Sequence, residues 1–108
     1  METLVSQVSA VTWTRVDDGR YDTYVWVHNE GSVLAAWEVR VVLPQGATLT
    51  GATAVSRTFV DGTWVFKPSR GDLGAGLVYL FGFSGTTGSS RFSLGSCTVN
   101  GSPCDPFR

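Results

Sequence analysis

The sequence predicts an all-β chain folded as an antiparallel two-sheet β-sandwich. Three observations carry that expectation. Apolar and polar residues alternate with a period of two along the main segments. Turn-forming residues interrupt these segments at short intervals, and no sustained 3.6-residue apolar pattern occurs anywhere. The chain has 108 residues, 43% hydrophobic and 16% charged, which suits one domain with a real core rather than a disordered chain. The expected architecture is immunoglobulin-like or jelly-roll-like and spans residues 1–108 without a linker or repeat.

Each element has its own pattern. Met1 to Trp13 has no basic leader and no continuous apolar run, so it fits neither a signal peptide nor a membrane anchor and reads as a strand; Met1 to Val8 precedes the core. Its β-branched stretch around Leu4-Val5 is expected to form an N-terminal arm that lies along a neighbouring chain. From Val11 the core begins. In Tyr21–His28, Tyr21, Thr23, Val25 and Val27 are expected to face inward, with Asp22, Tyr24, Trp26 and His28 outward. In Ala35–Leu43, Trp37, Val39, Val41 and Leu43 point in, while Glu38 and Arg40 point out.

Asp61-Gly62 between Thr58-Phe-Val60 and Thr63-Trp-Val65 suits a two-residue type I′ turn, pairing Val60 with Thr63 and Phe59 with Trp64. Phe59, Trp64 and Phe66 then share a face, which is expected to be the core face. Further joints fall at Asp18-Gly19, Asn29-Glu-Gly31, Pro44-Gln-Gly46, Gly74-Ala-Gly76 and 85–90. Cys97 and Cys104 flank an Asn100-Gly101 turn, and so short a loop allows a disulfide between them.

Catalytic chemistry finds little support. His28 is the only histidine, so no nucleophilic triad can be assembled, and it fits a solvated strand end. Asp17, Asp18 and Asp22 lack the ligand count of a calcium loop, and two cysteines without further ligands do not make a zinc site. No metal or cofactor is expected. Arg70-Gly71-Asp72 spells an integrin-read tripeptide, but three residues recur easily by chance and Gly71 suits an ordinary turn. A net charge of -1 with scattered arginines argues against nucleic acid and against an anionic membrane. The chain is expected not to be an enzyme.

Several short blocks together resemble the family 2 carbohydrate-binding modules. They are Val11-Thr-Trp13, Val25–Gly31, Ala36-Trp37-Glu-Val39, Leu43-Pro44-Gln-Gly46, Phe81-Gly82-Phe83-Ser-Gly85, Phe92-Ser-Leu94 and Asn100–Cys104. They occur in the family's order over nearly the whole chain. The resemblance implies a β-sandwich that binds crystalline cellulose or chitin and travels with secreted glycoside hydrolases. It also implies a flat strip of three exposed tryptophans, at positions falling near Val16–Asp17, Thr53 and Ser69–Arg70. None of these is aromatic here, whereas the family's core tryptophan is present as Trp37. The family's N-terminal half-cystine falls near Ser9, so the Cys97–Cys104 pair is a departure too.

Tyr24 and Trp26, two apart on an outward strand face, are the candidate replacement platform for sugar rings or a protein partner. Two readings stand open. One is a module of a longer extracellular enzyme or adhesin that holds a polysaccharide surface. The other, suggested by an initiating Met1 without an export signal, is a structural decoration protein on a bacteriophage capsid or other virion surface, held by neighbouring protein subunits.

Overall fold

The computed structural model describes residues 7–69, 71–88 and 92–106. It contains ten strands: β1 (Val8–Asp17), β2 (Arg20–Asn29), β3 (Val39–Val42), β4 (Gly51–Thr53), β5 (Val55–Val60), β6 (Thr63–Pro68), β7 (Val78–Thr86), β8 (Ser96–Val99), β9 (Ser102–Pro103) and β10 (Asp105–Pro106). They form two five-stranded sheets, ordered β10-β1-β2-β7-β4 and β5-β6-β3-β8-β9. All pairings are antiparallel except the short β1–β10 pair at one edge. The expected all-β sandwich is the observed fold.

Local chemistry explains the hairpins. Asp18, Asp61 and Asn100 have φ of 51°, 50° and 48°, each followed by a glycine at 78°, 80° and 86°. Two successive residues in the left-handed region define type I′ turns, whose twist matches that of the strands they join. The Asp61-Gly62 turn gives the expected register, Val60 with Thr63 and Phe59 with Trp64. The Asn100-Gly101 turn sets Val99 opposite Ser102, and Cys97 and Cys104 form the expected disulfide, with Cα atoms 5.4 Å apart.

The core lies between the sheets. Tyr21, Thr23, Val25 and Val27 of β2 are all buried, as are Trp37, Val39 and Val41. Leu43 packs against them half-exposed. Trp37 stacks on Phe81 at 5.6 Å, and Phe66 on Phe83 at 5.0 Å. The Tyr21 ring stacks on Phe92 at 4.1 Å, and its hydroxyl donates to Thr48 O at 2.9 Å. Burial of this phenol pushes its pKa up to about 12, because the phenolate would lose its hydration.

One expectation needs correction. Phe66 is fully buried and Trp64 half-buried, but Phe59 is 57% exposed. All three share the inner face, yet β5 is the edge strand of its sheet and Phe59 stands near its end, next to the Asp61-Gly62 turn. Two residues of the region expected to form an arm belong to the sandwich instead. Val8 is a core residue at the head of β1, and Gln7 is tied to the loop that follows β2. Met1 to Ser6 lie outside the described residues.

Loops at one end are organised by a single side chain. Asn29 is fully buried, and its Nδ2 donates to Val33 O at 2.8 Å and Leu73 O at 2.9 Å. Its Oδ1 accepts from Gly31 N at 3.0 Å and Gln7 Nε2 at 3.2 Å. At the other end Gly85 permits a close approach, since a Cβ there would lie 1.8 Å from Thr48 O.

Candidate functional site

Alternation and register together dictate what the first sheet shows to solvent. With the inner face of β2 committed to Tyr21, Thr23, Val25 and Val27, the outer face of the β1-β2-β7-β4 array is a grid of cross-strand rows. One row reads Arg15, Asp22, Ser84, Gly51, and the next Trp13, Tyr24, Gly82, Thr53. A third reads Val11, Trp26, Leu80, and a fourth Ser9, His28, Val78. Rows on one face are about 7 Å apart along the strands. The two middle rows therefore place Trp13, Tyr24, Trp26 and Leu80 side by side.

Trp13 and Tyr24 stack across the ladder, centroids 5.8 Å apart and ring planes 25° from parallel. Both are 40% exposed, Leu80 is 50% and Val78 54%; Trp26 is half-buried beside them. The result is a continuous apolar strip on a sheet face rather than in a cleft. Beside it runs a shallow trough of about 270 Å3, bordered by Tyr24, Asp22, Thr53 and Ser84. Its floor is Gly82, whose missing side chain leaves the edge of the Tyr24 ring uncovered; a Cβ there would lie 3.5 Å from that ring.

The remaining sequence candidates are dispersed. His28 sits on the same face, one row beyond Trp26. Asp17 and Asp18 are exposed at the β1–β2 turn, and Asp22 stands opposite Arg15. Among the described residues no group of three or more His, Cys, Asp or Glu could hold a metal ion. The disulfide joins Cys97 of β8 in the second sheet to Cys104, which immediately precedes β10 beside Val11 of β1. Arg70 lies outside the described residues, while Gly71 and Asp72 are exposed.

Of the positions where the resemblance implies tryptophans, Val16 is 44% exposed at the end of β1. Thr53 lies on the outer face, in the row of Tyr24. Ser69 is exposed, and Arg70 falls in the part not described. Thr53 and the strip thus share one face, with the aromatic rings two and three strands over, on β2 and β1. Trp13 was not singled out as a platform residue from the sequence, yet the signal was present. An Asp18-Gly19 turn of two residues fixes Asp17 against Arg20, and counting back along both strands brings Trp13 opposite Tyr24.

The chain is similar to several solved structures. The chitin-binding domain of Chi18aC from Streptomyces coelicolor superposes with a TM-score of 0.73 at 28% identity, covering 94% of this chain and 97% of that one. ChBD2 from Thermococcus kodakarensis gives 0.65 at 24% identity over 90% and 93% of the two chains. The chitin-binding domain of the Pyrococcus furiosus hyperthermophilic chitinase gives 0.62 at 22% over 94% and 97%. The latter two likenesses establish the fold. No family model matches the chain, and no curated protein matches it.

Proposed function

We propose that this chain is a non-catalytic polysaccharide-binding module that holds β-1,4-linked N-acetylglucosamine chains on the outer face of its first sheet. The observation that carries the reading is the contiguous strip of Trp13, Tyr24, Trp26 and Leu80 on the outer sheet face, with Trp13, Tyr24 and Leu80 40–50% exposed. Pyranose rings present apolar C–H faces, and stacking each on an aromatic ring contributes about 1 kcal/mol beyond the area it buries. A sheet face that offers several rings in two rows suits an extended polymer surface better than a small ligand, which calls for a cavity.

The likeness to the chitin-binding domain of Chi18aC supports chitin as the polymer. The Cys97–Cys104 disulfide fits an oxidising, extracellular place of action. A capsid decoration role gains no support from these likenesses, which are to chitin-binding domains. With the three resemblance-implied tryptophans replaced, microcrystalline cellulose should be bound weakly or not at all.

The test is depletion from solution. Chitin powder should remove the wild-type protein, and Trp26→Ala should bind about tenfold less tightly, the equivalent of 1.4 kcal/mol. Unchanged depletion by Trp26→Ala and by Tyr24→Ala would remove the strip from consideration.

A further inference from the structure

Among the described residues, the second sheet ends in a strand that pairs on one side only. β5 runs six residues, and every residue from Ser56 to Val60 is exposed. The other edges are shorter: β4 has three residues, and β9 and β10 two each. In a two-residue hairpin the residues flanking the turn form a hydrogen-bonded pair. Val60, Thr58 and Ser56 therefore direct their N–H and C=O groups to β6, while Phe59, Arg57 and Val55 direct theirs to the open edge. The strand has no proline, and Phe59 and Val60 stand 57% and 49% exposed at its end.

We infer that β5 is the contact through which two copies of this chain associate, strand against strand and antiparallel, with Thr58 on the two-fold axis. The sequence favours this register over one centred on Arg57. An axis at Arg57 would set two guanidinium groups opposite each other, whereas an axis at Thr58 sets each Arg57 opposite Phe59 of the other copy. Arg57 already lies 5.9 Å over the Trp64 ring, so its guanidinium would be held between two aromatic rings. Ser56 then faces Val60 of the other copy, and the edge groups of Arg57 and Phe59 become a hydrogen-bonded pair on both sides of the axis.

The geometry has a functional consequence. An axis that relates antiparallel edge strands stands normal to the joined sheet, so both copies keep their first sheet on the same side. The two Trp13–Tyr24–Trp26 faces then point the same way, and one flat surface can engage both. The association itself does not depend on what those faces bind.

Sedimentation velocity and cysteine cross-linking test this directly. A strand-edge contact is small, below roughly 1,200 Å2 in total, so the wild type should show a concentration-dependent monomer–dimer equilibrium near 100 µM. Phe59→Asp should be monomeric while keeping a cooperative melt. Under mild oxidation Thr58→Cys should yield a covalent dimer, while Ser56→Cys, facing Val60 of the other copy, should not. A wild type that stays monomeric throughout overturns the inference. So does a Thr58→Cys variant that cross-links no faster than Ser56→Cys, or a dimer that persists in Phe59→Asp.

Discussion

Asn29 should be the most costly polar side chain to remove. It is fully buried and makes four side-chain hydrogen bonds, two donated to the carbonyls of Val33 and Leu73 and two accepted from Gly31 and Gln7. Asn29→Ala deletes all four, leaving the Leu73 carbonyl with only the Ala35 N–H that it also accepts. At about 1 kcal/mol per hydrogen bond, the loss comes to about 4 kcal/mol. Domains of this size hold roughly 5–15 kcal/mol of stability, so the variant should remain folded only marginally. The assay is urea unfolding followed by tryptophan fluorescence, with a companion thermal melt expected to fall by roughly 15–30 °C.

Asn29→Asp sharpens the test by changing one group. It puts an oxygen where Nδ2 met two carbonyl oxygens, so the buried carboxyl is favoured in its neutral form and its folded-state pKa rises. The sign follows from linkage. The variant is least impaired below the unfolded-state value of about 4, and it loses about 1.4 kcal/mol for each pH unit above that until the folded-state pKa is passed. A loss below 1 kcal/mol for Asn29→Ala, or a pH-independent deficit for Asn29→Asp, would refute the account of this residue as the tie between the two loops.

Two further outcomes follow from the same structure. The Tyr21 hydroxyl ionises at about 12 in the folded chain against about 10 unfolded. Its contribution is therefore complete below pH 10 and lost as pH rises towards 12, at up to about 2–3 kcal/mol. Tyr21→Phe should abolish that slope in alkaline denaturation and cost about 1 kcal/mol at neutral pH. Replacing Cys97 and Cys104 together by alanine opens a short loop, so urea unfolding should show a loss of only about 2–3 kcal/mol and a retained cooperative transition.

The sequence was legible where local rules and burial agree. Alternation alone separated the inner from the outer residues of β2, because one face of that strand is wholly buried and a one-residue slip would expose Tyr21 and Val25. Asp61-Gly62 gave its register because a type I′ turn leaves no freedom in the pairing of its flanks. Phe59 was misassigned because a face can be core along most of a strand pair and solvent at its edge; strand order decides which, and that order is a long-range property. The same limit hid the strip. Tyr24 and Trp26 are neighbours in sequence, but Leu80 joins them only through the pairing of β7 with β2. In sequence Asn29 reads as a turn residue, because its role depends on loops that meet it from Val33 and Leu73.

The central claim is that the outer face of the first sheet holds the polymer. The most direct measurement compares the depletion of wild type and of a Trp13→Ala/Tyr24→Ala/Trp26→Ala variant by chitin powder over a range of protein concentrations, with a thermal melt of each. All three side chains lie on the outer face and none belongs to the buried core, so the variant should melt lower but keep a cooperative transition. Its affinity should fall at least a hundredfold, the equivalent of about 3 kcal/mol for three stacking rings. A variant that melts like the wild type and is depleted to the same extent would contradict the account.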